Sequence, residues 1–371
     1  MMTDCEPSLP YSLQSCSVSW NNTGCWLAWA CNDRTAKIWT LEGALVRNCN
    51  KSPIIDVTVS NKGLTISYIQ PREVITVATG GHTAPVDLVR FHPIEANTLC
   101  TSGLDSSIRI WDVRASGGSQ KARIDLQGHG RCGPNAVSVE WGSIYTLIVT
   151  ERDNKVHVYD LRKLNPSFGL KGARATSATP VHTFNLEQND VTGCKMSPNG
   201  EFMVATTTLR GEGMGEFRIW SWKEGEDNTE IPENVVSYPG HTTPINRFTF
   251  SPDGNRLASG GSDTIVGLWD VSSMVCTNTI LRGTKVIRSV TFSHDSRLIA
   301  SSSDEEGIDI ADADTGALIG NVKIGRRVGA EEIVFHPKLN WLACARTESQ
   351  GMGGAQSPSP VVVAKLALIA A

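Results

Sequence analysis

The strongest constraint on this chain is a phrase that it repeats. Residues Gly240 to Val271 read GHTTPINRFTFSPDGNRLASGGSDTIVGLWDV, and from Gly81 the same order returns as GHTAPVDLVRFHP, TLCTSGLD and SSIRIWDVR. Each copy opens on Gly-His and closes on Trp-Asp. Between them lie an alternating run, a turn, a second short strand, an acidic turn and a third strand. Alternation with period two marks half-buried strands. A four-strand unit recurring at about 40–45 residues is the signature of one blade of a β-propeller. The spacing has a chemical reason. In one copy His82, Thr101, Asp105 and Trp111 form a buried chain, and in the other His241, Ser259, Asp263 and Trp269 do the same. The Asp accepts from the imidazole, the imidazole meets the hydroxyl, and the hydroxyl accepts from the indole N–H. Every buried polar group then has a partner.

Five weaker copies complete the chain. The first has strands at Ser17–Trp20, Trp26–Ala30 and Thr35–Trp39, with Asp33 and Trp39 spaced like Asp263 and Trp269. The third begins at Gly128-His129 and has YDLR in place of WDVR. The fourth runs from Asp190-Val191 to an outer strand at 234–238, with a glycine-rich loop at 211–215. In the sixth, VIRSVTFSHDSRLIASSSDEEGIDIADADTG, the pattern puts Asp304 at the turn and Ile310 in place of the Trp. The seventh is GAEEIVFHPKLNWLACA, a Gly/Ser/Pro loop at 350–360 and a strand from Val361. The expectation is an all-β, seven-bladed propeller over 16–368, with a tail at 369–371.

Two places do not fit the repeat. Residues 46–70, VRNCNKSPIIDVTVSNKGLTISYIQ, interrupt the first blade between its third strand and an outer strand at Glu73–Ala78. Between those two strands lies an excess of roughly 30 residues over the usual blade length. Residues 46–70 read as a long surface loop with a hairpin, or as translated intron sequence whose removal would join TLEGAL to PREVITV. The last blade lacks a fourth strand after Leu368. The N-terminal segment, 1–15, is the expected source, because pairing the chain ends leaves no open sheet edge.

Chemistry is scarce in the pattern. Net charge is −4, which argues against neutralising nucleic-acid phosphate as the main work. The ten cysteines form no CxxC pair, so neither a disulfide nor a zinc framework is expected. No apolar run is long enough to span a bilayer, and the N-terminus has neither a signal-peptide nor a transit-peptide pattern. There is no GxSxG and no P-loop. GEGMGE at 211–216 lies between two strands and reads as a turn. His82, His129 and His241 start blades, His92 and His336 sit in FHP turns, and His157, His182 and His294 carry no evident ligand constellation. The acids at 304–306 and at 309, 312 and 314 read as solvated rim. No catalytic, cofactor or metal residues are assigned. Loops remain: Leu104, Arg152 and Ser262 precede the turn acids and fall on one face beside Thr83 and Thr242, which makes these five the candidate partner contacts.

The Gly-His…Trp-Asp frame is that of WD40 repeats. The C-terminal half is more particular. SDTIVGLWDV with a following Val-Cys strand, VIRSVTFSHDSRLIASSSDE, and GIDIADADTG resemble the WD40 subunit of the THO complex, the THO subunit 3 family. The likeness runs from about Ser15 to Leu368, apart from the interruption. It implies a non-catalytic nuclear scaffold whose partners are other THO subunits. Within the wider TREX assembly such a subunit couples transcription to mRNA packaging and export, and meets RNA indirectly. Neither a membrane nor a small-molecule substrate is implied. The alternative is another WD40 adaptor, such as a ubiquitin-ligase substrate receptor or a chromatin reader. An enzyme working in a propeller pocket is a third reading, and the scarcity of acid–base constellations weighs against it.

Overall fold

The computed structural model describes residues 17–31, 33–40, 55–57, 64–69, 73–77, 80–114, 118–126, 136–164, 179–186, 189–222, 235–281, 283–324, 329–346 and 361–368. They form seven antiparallel sheets, six of four strands and one of five. The inner strand of each sheet touches the inner strands of its two neighbours, including Val18–Trp20 of blade one against Ala330–Phe335 of blade seven, so the ring is closed. The chain is an all-β, seven-bladed β-propeller. Among the described residues no helix is long and apolar enough to cross a membrane.

The burial pattern explains the architecture. Second strands lie in mid-sheet with a blade packed on each face. Thr98–Gly103 and Thr146–Glu151 are accordingly buried at every position, as expected of strands covered on both sides. First strands show a sparser pattern, seen in Val86–Phe91, because one end of their side chains faces the central channel. Six of the seven inner pairings carry a bulge near their start, for example at Val86/Leu88 and Ile245/Arg247. A bulge twists the strand locally and re-aims the side chains beyond it. The core is a series of clusters between blades. In one of them Phe217 of blade four meets Trp269 of blade five edge-on, with centroids 5.2 Å apart.

The structure changes the account of the interruption. The fourth strand of blade seven is Leu64–Ile69, paired with Val361–Leu368 from Val363↔Ile69 to Leu368↔Leu64. Ile55–Val57 adds a fifth strand outside it. The stretch assigned by pattern to a loop on blade one is thus the edge of blade seven, and it returns to blade one through Glu73–Val77, which pairs with Ala36–Thr40. The physical reason is the exposed edge of Val361–Leu368. A row of unpaired N–H and C=O groups accepts an alternating segment within reach. Residues 1–15, expected at that edge, lie outside the described residues, as do 350–360, 369–371 and His129.

Candidate protein-binding face

Blades two and five each hold a complete polar chain. In blade two His82 Nδ1 is 3.0 Å from Asp105 Oδ1, its Nε2 is 2.7 Å from Thr101 Oγ1, and Trp111 Nε1 donates to Thr101 at 2.8 Å. In blade five His241 is 3.0 Å from Asp263 and 2.7 Å from Ser259, and Trp269 donates to Ser259 at 2.8 Å. The acids also fix the backbone. Thr83 N donates to Asp105 at 2.9 Å, and Ile265 N to Asp263 at 3.2 Å. Burial alone would raise the Asp105 pKa, but the hydrogen bonds from His82 and Thr83 hold it well below the usual carboxylate range.

The other blades depart from this chain, each in its own way. In blade one Trp29 stands at the hydroxyl position and packs edge-on against Trp39, 4.9 Å away. In blade four Trp220 keeps the indole position, but Ala205 replaces the hydroxyl, and the buried Trp220 Nε1 has no partner among the described residues. Blade six differs from its sequence reading. Leu298 pairs with Asp312 and Ile299 with Ala311, as Arg256 pairs with Asp270 and Leu257 with Trp269. Ala311 therefore occupies the Trp place, and Ile310 is the ordinary core residue before it. The turn acid is Glu305, which accepts from Thr284 N at 2.7 Å just as Asp105 does from Thr83. Asp304, one residue earlier, pairs outward with Arg288 at 2.7 Å.

The five candidate contact residues lie where these chains meet the rim. Thr83 and Thr242 are exposed, and Leu104, Arg152 and Ser262 are half-buried. Thr83 and Leu104 flank the same Asp105, and Thr242 and Ser262 the same Asp263. Ser262 is further tied to Asn246, whose amide donates to it at 3.1 Å. The structure brings Thr83 to Leu104 and Thr242 to Ser262 as two separate patches, while Arg152 occupies the matching turn of blade three. Rigid buried chains beneath short exposed loops suit such a rim to protein recognition.

Sequence pattern missed the centre of the ring. All seven inner strands line one cavity of about 210 Å³. Arg90 bridges it, donating to Glu332 at 2.6 Å and to Ser17 at 2.7 Å, and sits 3.4 Å from Glu140. Lys195 approaches Glu140 from blade four at 3.4 Å. Burial would push both glutamates up, but the cations win: Arg90 and Arg247 hold Glu332 down, and Lys195 and Arg90 hold Glu140 down. The signal was the odd charge on otherwise apolar first strands, as in VDLVRF and AEEIVF.

These features define a seven-bladed β-propeller in which two blades carry the full His–hydroxyl–Asp–Trp chain. A family profile described as "WD domain, G-beta repeat" matches residues 73–112, 232–270 and 274–306. The chain is similar to THO complex subunit 3 of Arabidopsis thaliana, 26% identical over 89% of this chain and 85% of that protein. It is also similar to WD repeat-containing protein AAC3 of Dictyostelium discoideum, 27% identical over 76% of this chain and 52% of that protein. Mitotic checkpoint protein bub-3 of Caenorhabditis elegans is 26% identical over 52% of this chain and 51% of that one.

Proposed function

We propose that this propeller is a non-catalytic scaffold subunit of a THO-like complex in the nucleus, joining transcription to mRNA packaging and export through protein contacts. The observation that carries the reading is the reach of the likeness: the alignment with the plant THO subunit spans 89% of this chain, so it covers the ring and not a single repeat. The rim residues Thr83, Leu104, Arg152, Thr242 and Ser262 are its proposed partner contacts, and RNA is reached through the assembly. Affinity purification of the tagged full chain from nuclear extract, followed by mass spectrometry, tests this. Recovery of the large THO subunits supports the reading. Recovery instead of a cullin adaptor or of histones would establish a different WD40 adaptor.

A further inference from the structure

Blade three has lost the polar chain and gained something else in its place. By register, Glu151 pairs with Ala136 as Gly103 pairs with Val86 and Gly261 with Ile245. In the complete blades that position must be glycine. A Cβ on Gly103 would lie 2.5 Å from His82 Nδ1, and one on Gly261 2.5 Å from His241 Nδ1. A side chain at residue 151 therefore stands where the complete blades leave room for their histidine. Val149 stands at the hydroxyl position and Tyr159 at the indole position. Neither supplies the tetrad's hydroxyl link.

What surrounds Glu151 is a set of ligand atoms. One oxygen each of Glu151 and Asp153 and one nitrogen of His157 all lie within 4.8 Å of one another. The Glu151 side chain is only 6% exposed, and His157 Nε2 stands 3.6 Å from its Oε1. That is too long for a hydrogen bond, and among the described residues no donor reaches this carboxylate. A buried carboxylate without a donor is costly. The separation matches instead two ligands of one tetrahedral ion, which at metal–ligand distances near 2.0–2.2 Å stand roughly 3.3–3.6 Å apart. His157 is held for the purpose, with Nδ1 2.8 Å from Thr183 Oγ1. An Nδ1–H donated to that hydroxyl leaves the Nε2 lone pair facing Glu151, the outer-shell arrangement common to metal-binding histidines.

We infer that Glu151, Asp153 and His157 form a binding site for a divalent transition-metal cation of the zinc class, set into blade three where the polar chain stands in blades two and five. Two carboxylate oxygens and an imidazole suit zinc better than magnesium or calcium, which prefer all-oxygen sets. Asp153 is the most exposed ligand at 28%, so the ion enters from the rim and keeps a fourth position open there. Lys155 Nζ, 2.7 Å from Asp153, is the competing cation and is displaced on binding. Burial, then the charge of Asp153, pushes the Glu151 carboxyl up to about 7.

The test uses the full chain, stripped with chelator and with its accessible cysteines alkylated, titrated calorimetrically with zinc chloride. One saturable equivalent of zinc is expected, with no comparable response to magnesium or calcium. Cobalt as a spectroscopic substitute should give the visible absorption of a four-coordinate site. Glu151→Gln and His157→Ala should abolish both signals, Thr183→Val should weaken binding about 10–100-fold, and Lys155→Met should tighten it. Far-UV circular dichroism checks that the variants fold, and Lys155→Met leaves all ligands intact. Absence of zinc binding by the parent chain overturns the inference. So does binding that Glu151→Gln and Lys155→Met both leave unchanged, which would assign the metal to other groups.

Discussion

Replacing Arg90 by Met should weaken the ring by about 3–5 kcal/mol at neutral pH, the usual consequence of removing one partner of a buried ion pair. The structure sets the value within that range. Arg90 supplies Glu332 with two contacts, at 2.6 and 3.3 Å, and it also donates to Ser17 of blade one at 2.7 Å. Glu332 retains the Val18 N–H at 2.8 Å, and Glu140 retains Lys195. The lower end, about 3 kcal/mol, is therefore expected. Urea unfolding followed by tryptophan fluorescence measures it. The pH dependence is the sharper check. Glu140 and Glu332 have folded pKa values below their ordinary 4.5. Their pairing thus stabilises the parent chain above that pH and is lost as pH falls through the lower folded values. In the variant Glu332 moves up in pKa, because Arg247, Ser17 and the Val18 N–H are left to oppose burial without Arg90. It takes up a proton as pH falls, so the gap between variant and parent should narrow toward pH 4. Adding Glu332→Gln should recover most of the loss at pH 7. A deficit under 1 kcal/mol, or one that is flat with pH, would refute the reasoning.

The blades themselves set further outcomes. Asp263→Ala should destabilise the ring by about 1–3 kcal/mol, because the His241 Nδ1–H and the Ile265 N–H lose their acceptor; urea unfolding reads this, and an unchanged midpoint counts against a structural role. Trp269→Phe should lose more stability than Trp220→Phe in the same assay, since only Trp269 has a hydroxyl partner for its indole N–H. Ser67→Pro should open blade seven, because residue 67 lies mid-ladder between Lys365 and Asp56; limited proteolysis should then cut between residues 41 and 72 faster than in the parent. In metal-free protein the raised Glu151 carboxyl binds protons in the folded state that the unfolded state has released, so stability should fall as pH rises from about 4.5 to about 7. Glu151→Gln should flatten that slope, as tracked by thermal melting across the interval.

What could be read in the sequence was whatever a blade states locally. Gly-His, the acidic turn and Trp-Asp lie within one repeat, so blades two and five were legible down to their hydrogen-bonded side chains. Blade six shows how local reading slips. Its turn offers Asp304 next to Glu305, and an aspartate looks like the better match. The pairing of Ile299 with Ala311 shows that the longer acid holds the place. The error came from matching residue type where strand register decides. Long-range pairing was hidden for a different reason. LTISYI alternates like any edge strand, and nothing within it names Val361–Leu368 as its partner. Ring closure supplies that choice, because the last blade has an open edge wherever the chain happens to provide a strand. The charged channel needed all seven inner strands assembled before Arg90, Glu140 and Glu332 could be neighbours. The Glu151 cluster is the opposite case. Its three residues lie in one short run, ERDNKVH, of which only His157 was weighed as a ligand from sequence, as a histidine with no evident ligand constellation. Only the comparison with Gly103 and Gly261 gives the run its meaning: a side chain stands where the complete blades require none, and its carboxylate must be satisfied in another way.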